Sequence, residues 1–406
     1  MKILLYADTP TCNTGFGIVS KSIVKFLLKN TDSEIDILGI NERGVHDELR
    51  HNPRVIIEPA ADGGDLHGRI KLIKKMSTGA YNHIIMIHDL ITVLQPLDSS
   101  GANVCSAIEN LKPFYPEQKY HFYFPIDSEF PADADLSPYE PLKVFDSLIP
   151  YTRYASKQIQ KIFGKERVNL VDAMYHGVDT TEFYPLPRQQ KKQLRKELFD
   201  ITDKRPVISI IARNQWRKDI AMSIHTFKEY KKLQKDAFLY IHSKAQDVGG
   251  NFMRYLEVWG LKPNEDYMVA KNLDNANGIA TQKLNEIYNA SDLILSSAHG
   301  EGFGLPYLEA MATKTAIMTP ALGVEKEILP YHYVHEYTGL IYESSGQDGT
   351  PFPRASVLFP RGVAEEIDSL LQETSTLKDI KDIAYDNVKE KFDWDKNLQI
   401  LLKRLV

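Results

Sequence analysis

The sequence predicts an α/β protein made of two doubly wound, Rossmann-like domains that face each other across a deep cleft. Three observations carry this. The chain has 406 residues, too many for one ordinary α/β core and enough for two. Short apolar runs alternate with helical patterns from the first residues, the signature of a parallel sheet covered on both faces. The alternation is broken by a polar linker and then begins again.

The first series opens with KILLY (2–6). A glycine-containing loop, Thr14 to Gly17, leads into a helical pattern with Ile18, Val19, Ile23, Phe26 and Leu27 on one face. Further strands are expected at EIDILGI (34–40), RVIIE (54–58), HIIMI (83–87), HFYF (121–124) and DSLIPY (146–151). The join is HGVDTTEFYP (176–185), punctuated by Gly and Pro, followed by the charged run RQQKKQLRKEL (188–198), read as a solvated linker helix. The second series is PVISIIA (206–212), AFLYIHS (237–243), DYMVA (266–270), DLILSS (292–297) and TAIMT (315–319), with helices at 218–233, 250–259, 281–290 and 304–313. ESSGQDGTPFPR (343–354) reads as a surface loop. The division expected is 1–186 and 187–391.

Composition excludes several classes. Hydrophobic residues make up 43% and charged residues 25%, as in an ordinary globular protein. Two distant cysteines, Cys12 and Cys105, indicate neither a zinc site nor a disulfide framework, and read as reduced thiols. No apolar run approaches the roughly 20 residues that span a bilayer, and the run at the N-terminus is too short for a signal peptide; the expectation is a cytoplasmic protein. The net charge of −5 falls in residues 1–185, with 19 Lys+Arg against 24 Asp+Glu, and the remainder is balanced. Neither half has the basic excess of a nucleic-acid binder. LHGRIKLIKKM (66–76) reads as an ordinary amphipathic helix, leaving at most peripheral membrane contact.

In a two-domain α/β chain the ligand sits outside the carboxyl ends of the strands. After DLILSS the chain continues AHGEGFG and enters a helix at LPYLEAMA. Gly300, Gly302 and Gly304 allow a tight turn and close approach to a ligand, and the free N–H groups at the helix start favour a phosphate. Glu301 and Glu309 lie about two helical turns apart, so one carboxylate can meet a sugar and the other a ribose. The same pattern also fits a turn that the glycines merely shape, with Glu309 solvated. ARNQWRKD (212–219) follows the strand PVISIIA. Arg213 and Lys218, with Arg217 between them, could neutralise a diphosphate leaving group, or be exposed cations at a capped helix start.

EGFGLPYLEAMA closely resembles the signature of the family 4 retaining glycosyltransferases, whose fold is named GT-B. IARNQWRKD is similar to that family's Arg-x4-Lys segment, and HGVDTTEFYP to its linker. LNEIYNASDLILSS resembles the helix and strand before the glutamate motif, and FDWDKNLQILLKRL (392–405) the terminal helix that crosses back to the first domain. The resemblance implies that Arg213 and Lys218 bind the donor diphosphate, Glu301 the sugar hydroxyls and Glu309 the ribose. Phe303, Gly304 and Leu305 would offer backbone N–H groups to sugar and phosphate. Gly15, Phe16 and Gly17 match a glycine loop near the cleft, although TGFG departs from the usual Gly-Gly pair. His88, after the strand HIIMI, corresponds to a histidine near the anomeric carbon, or else is a satisfied core histidine. Asp127, after HFYF, could touch the acceptor or form a turn before Ser128.

The reaction so implied is transfer of a sugar from a nucleoside diphosphate sugar to an acceptor hydroxyl of a glycan or glycoconjugate, with retention and with no metal or other cofactor. Asp133 and Asp135 have a metal-binding Asp-x-Asp form but read as a solvated loop. A hydroxylated base in DNA is a second acceptor class, opposed by the acidic first half. A non-catalytic nucleotide-sugar binding protein is a third reading, opposed by the full set Arg213, Lys218, Glu301 and Glu309. The motifs of P-loop enzymes, of α/β-hydrolases with GxSxG and of HExxH metalloproteases are missing.

Overall fold

The computed structural model describes residues 1–405 other than 131–133, 164–169, 171–172, 272, 274–277, 321–322, 330–333, 336–340, 344–353 and 357–358. Strands β1 (Lys2–Asp8), β2 (Glu34–Ile40), β3 (Val55–Pro59), β4 (His83–Ile87), β5 (Lys119–Phe124) and β6 (Ser147–Pro150) form a parallel sheet in the order β3-β2-β1-β4-β5-β6. β1 is central and buried on both faces, with Ile3, Leu4, Leu5 and Tyr6 fully covered. That is why it reads as a continuous apolar run instead of an alternating one.

The second sheet repeats the plan. β7 (Val207–Ile211) and β8 (Phe238–His242) are followed by a small hairpin, β9 (Gln246–Asp247) and β10 (Gly250–Asn251). Then come β11 (Tyr267–Val269), β12 (Leu293–Leu295), β13 (Ala316–Pro320) and β14 (Val334–His335). The sheet order is β11-β8-β7-β12-β13-β14, again parallel. A last hairpin pairs β15 (Ile341–Glu343) with β16 (Arg354–Ser356). In both sheets the winding reverses next to the central strand, between β1 and β4 and between β7 and β12. A crevice therefore opens outside the carboxyl ends of those four strands.

All eleven strands expected from the sequence are present, with ends shifted by a residue or two. β14 escapes detection because two residues cannot show a period. Three helix expectations change. The segment Gly15–Gly17 is not a loop but the first turn of the helix Gly15–Asn30, because the Thr14 side chain caps it by accepting the Gly17 N–H at 3.0 Å. Ile18 on that helix is exposed, while Val19, Ile23, Phe26 and Leu27 are buried. The helix expected at 250–259 is shorter, Met253–Val258, since β10 takes its first residues.

The charged linker is a largely exposed helix, Arg188–Phe199. The expected surface loop 343–354 lies mostly outside the described residues, as does Asp133; Asp135 caps a turn through Ser137 N–H at 3.0 Å.

The C-terminal segment does return to the first sheet, but as two short helices, Trp394–Asn397 and Gln399–Leu405. Lys29, on the helix after β1, pairs with Asp395. Val178 N–H donates to the Phe392 carbonyl at 3.0 Å, and Asn397 donates to the His176 carbonyl at 3.1 Å. A Cβ on Gly177 would stand 2.5 Å from the Trp394 nitrogen, so this crossing needs glycine there. Among the described residues no helix is long and apolar enough to cross a membrane.

Candidate functional site

The site begins where β7 ends. After Ile211 the chain makes a turn, Trp216–Lys218, and Asp219 then caps the helix Ile220–Leu233 by accepting the Met222 N–H at 3.0 Å. Asp219 adopts a left-handed conformation, φ 40°, and its other carboxylate oxygen meets His299 Nε2 at 3.1 Å. His299 N–H donates to the Arg217 carbonyl at 2.7 Å. These contacts lock the loop after β7 to the loop after β12, which carries Glu301.

Between the two loops lies a covered ionic cluster. The Lys218 ammonium pairs with Glu301 Oε1, and Arg217 Nη1 lies 3.1 Å from Glu301 Oε2 and donates to the Gly300 carbonyl at 2.8 Å. Arg217 Nε reaches across to Asp127 Oδ2 at 3.4 Å, in the loop after β5 of the other sheet. Burial works to raise the Glu301 pKa, but Lys218 and Arg217 outweigh it and hold the carboxyl below its ordinary value. Burial and Arg217 pull Lys218 below the ordinary lysine value, against Glu301. Asp127 is pushed up to about 6, by burial above all, with Arg217 opposing.

The structure thus brings Lys218, Glu301 and Asp127 together, and adds Arg217, which the sequence reading leaves as the residue in between. Arg213 is not in the cluster: its side chain is 49% exposed and pairs with Asp247 of β9 at 3.0 Å. The one available sign of Arg217 was its adjacency to Lys218 in a turn, which lets both side chains face the same loop.

The glycines divide into separate roles. Gly304 has φ +90° and opens the helix Leu305–Ala312. Gly300 and Gly302 also approach the other sheet's loops closely. A Cβ on Gly300 would fall 1.9 Å from the Asp127 carbonyl oxygen, and one on Gly302 2.5 Å from Pro125. These glycines let the loops of the two sheets touch. Gly17 is likewise held by its own loop, with Cys12 and Thr9 against it. Gly15 is open, and the nearest atom to a Cβ there is Leu305 Cδ1 at 4.0 Å. The helix starts at Gly15 and Leu305 therefore face each other across the crevice.

Phe303 is buried in an aromatic group that joins both sheets to the C-terminal segment, 4.3 Å from the His176 ring and 6.0 Å from Phe392. Glu309 is also buried, not solvated, and accepts the Tyr288 hydroxyl at 2.7 Å. Burial raises its carboxyl to about 7, with the Tyr288 bond opposing.

On the first sheet, His88 follows β4 and stacks on Phe16 at 4.8 Å. Its Nδ1 accepts the Asp89 N–H at 2.9 Å and lies 2.7 Å from Thr92 Oγ1. Burial depresses the ring to about 4, so it is neutral at neutral pH, and with Nδ1 accepting, Nε2 carries the proton. Among the described residues no group of three or more His, Cys, Asp and Glu is placed to hold a metal ion.

Residues 191–349 match the family model described as glycosyl transferases group 1. Over 128 residues the chain is 32% identical to a trehalose synthase of Thermococcus litoralis, and the match covers 31% of each, so the chain spans about a third of that relative's length. Solved structures match along the whole chain, among them the following two. HepE of Anabaena in complex with UDP-glucose superposes with a TM-score of 0.68 at 14% identity, covering 100% of this chain and 99% of that one. Sucrose-phosphate synthase from Thermosynechococcus elongatus does so with a TM-score of 0.70 at 15% identity, again covering 100% and 99%. At such identities the likeness is one of fold.

Proposed function

We propose that this chain, which has the GT-B fold and whose residues 191–349 match the family described as glycosyl transferases group 1, is a glycosyltransferase that moves a sugar from a nucleoside diphosphate sugar to an acceptor hydroxyl with retention and without a metal. The observation that carries the reading is the covered Lys218–Glu301–Arg217 cluster beside the helix start at Leu305. Two cations and a set of backbone N–H groups converge there, at the carboxyl ends of β7 and β12, which suits a diphosphate. HepE, similar in fold, is known in complex with UDP-glucose.

Donor phosphates would take over Lys218 and Arg217, which releases Glu301 to accept hydrogen bonds from the sugar hydroxyls. Arg213 would leave Asp247 and swing to the diphosphate. The N–H groups of Phe303, Gly304 and Leu305 would meet sugar and phosphate, and Glu309 would exchange Tyr288 for the ribose. From residues 1–186, Gly15 and Phe16 face the donor. His88 offers its Nε2–H near the anomeric carbon, Asp127 faces the acceptor, and Gly17 shapes the turn that places them.

As the bond between the anomeric carbon and the β-phosphate oxygen breaks, negative charge grows on the leaving diphosphate. Lys218, Arg217 and the helix start oppose it. The acceptor oxygen bonds to the anomeric carbon on the face that the phosphate leaves, and its proton passes to a phosphate oxygen. No protein base is required. The acceptor is a hydroxyl of a glycan or glycoconjugate.

A panel of nucleotide sugars tested for thermal stabilisation identifies the donor. A ligand at a hundred times its dissociation constant adds about 2.7 kcal/mol. The product anomer, read by NMR, then tests retention. If no nucleotide sugar raises Tm and none is hydrolysed or transferred, the reading fails.

A further inference from the structure

A cavity of about 400 Å³ opens on the second half of the chain, between the hairpin β9–β10 and the helix Met253–Val258. Gln246 and Asn251 of the hairpin form one wall, and Arg254, Tyr255 and Val258 of the helix form the other. The volume falls in the range of small-ligand sites, about 300–1,000 Å³. Both walls are fixed from beneath. Asn214 is buried and donates its side-chain N–H groups to the carbonyls of Ala245 at 3.1 Å and Gly250 at 2.8 Å, while its backbone carbonyl accepts the Gly249 N–H at 3.0 Å. The helix is anchored by Phe252 and Leu256, both buried, and by the Asn251 side-chain oxygen, which accepts the Met253 N–H at 3.0 Å.

With that face buried, Tyr255 and Val258 turn outward, 43% and 78% exposed. Trp259 packs between Tyr255 at 5.5 Å and His225 at 4.8 Å, with interplanar angles of 30° and 24°, which sets the plane of the exposed tyrosine ring. Beside these apolar groups the cavity presents hydrogen-bond donors. Among the described residues the Arg254 guanidinium makes no ion pair or hydrogen bond, and the bond from Met253 occupies the Asn251 oxygen and leaves its N–H groups to donate. Exposed apolar surface rimmed by such groups marks an interaction site.

We propose that this cavity binds a uronic acid residue of an acidic saccharide, with Arg254 on the carboxylate and Tyr255 against the sugar ring. A guanidinium holds one carboxylate through two parallel hydrogen bonds, whereas a chain of phosphates calls for several cations, and Arg254 is the cation in this lining. The carrier of the carboxylate must also offer an apolar face to Tyr255 and Val258 and hydroxyls to the amides of Gln246 and Asn251. A uronic acid does both, since its pyranose ring has a C–H face and a hydroxylated edge. None of the residues assigned to the donor lines this cavity, so the proposal does not depend on the donor reading.

The test is a ligand-observed NMR titration of the full chain with tetragalacturonate, and with maltotetraose as the neutral comparison. Tetragalacturonate should bind saturably and more tightly than maltotetraose. Arg254→Ala and Tyr255→Ala should each weaken that binding about tenfold, the scale of one charge-assisted hydrogen bond, and Arg254→Ala should erase the preference for the acidic chain. Val258→Glu, which sets a carboxylate in the cavity, should weaken tetragalacturonate more than maltotetraose. All three side chains are exposed, so each variant should keep the parent Tm. Absence of saturable binding, equal affinity for the two saccharides, or binding that survives the three substitutions and therefore lies elsewhere would each overturn the proposal.

Discussion

Arg217 stands 3.4 Å from Asp127, an ion pair between a loop of the second sheet and a loop of the first. The same guanidinium holds Glu301, 3.1 Å away. Removing it strands the covered Asp127 carboxylate and leaves Glu301 with Lys218 alone. Arg217→Ala should therefore lower stability by about 3 kcal/mol, the scale of breaking a buried pair. Adding Asp127→Asn should recover part of the loss, because the stranded charge disappears. Urea unfolding of the parent, both single variants and the double variant reads the coupling. Strictly additive losses would mean that the pair does not join the two sheets.

Lys218 meets Glu301 and lies deeper than Arg213, which is turned toward Asp247. Lys218→Ala should cut turnover by about 2–4 kcal/mol, as expected when a preorganised electrostatic contact to a leaving group is removed. Arg213→Ala should cost less if its guanidinium must first leave Asp247. Steady-state rates with the donor found by screening, alongside circular dichroism to show that both variants fold, measure the difference. Near-normal turnover in folded Lys218→Ala would remove the leaving-group role.

The fold was legible because its strands are buried on both faces. Runs such as Ile3 to Tyr6 and Ile84 to Ile87 have no polar face to blur them. The motif residues were legible because they follow strands, and Lys218 and Glu301 do meet. What could not be read was which loops touch across the crevice. Nothing local to Gly300 and Gly302 shows that Asp127 and Pro125, some 175 residues away, pack against them. Arg217 was passed over for the same reason, since nothing local shows that Asp127 lies opposite. Glu309 resembled a solvated helix residue because its cover, Tyr288, belongs to the preceding helix.

Glu327 provides another contact between the sheets. Its carboxylate accepts the N–H groups of Arg153 and Tyr154, each at 2.8 Å, at the start of the helix Arg153–Phe163, and also the Tyr175 hydroxyl. It acts as an N-terminal cap supplied from the other sheet. Glu327→Ala should cost about 1–2 kcal/mol, the usual range for losing a cap, and Glu327→Gln should cost less because an acceptor oxygen remains. Denaturant unfolding of the two variants gives the order. Equal losses would show that the charge, not the acceptor, is what matters.

Glu309 sets a pH dependence whose sign can be worked out. Burial raises its folded pKa from 4.5 to about 7, so between those values the folded chain keeps a proton that the unfolded chain has lost. The stability this proton confers is fully present below pH 4.5 and is lost as pH rises through 7. Glu309→Gln keeps an oxygen to accept the Tyr288 hydroxyl but cannot ionise. The variant and the parent should therefore be about equally stable near pH 4, and the variant should be the more stable at pH 8, by up to about 3 kcal/mol. Urea unfolding of both proteins across that range isolates this group, because every other titration is common to the two. A difference that stays constant with pH, or a variant that loses stability at pH 8, would show that the folded protein holds Glu309 ionised.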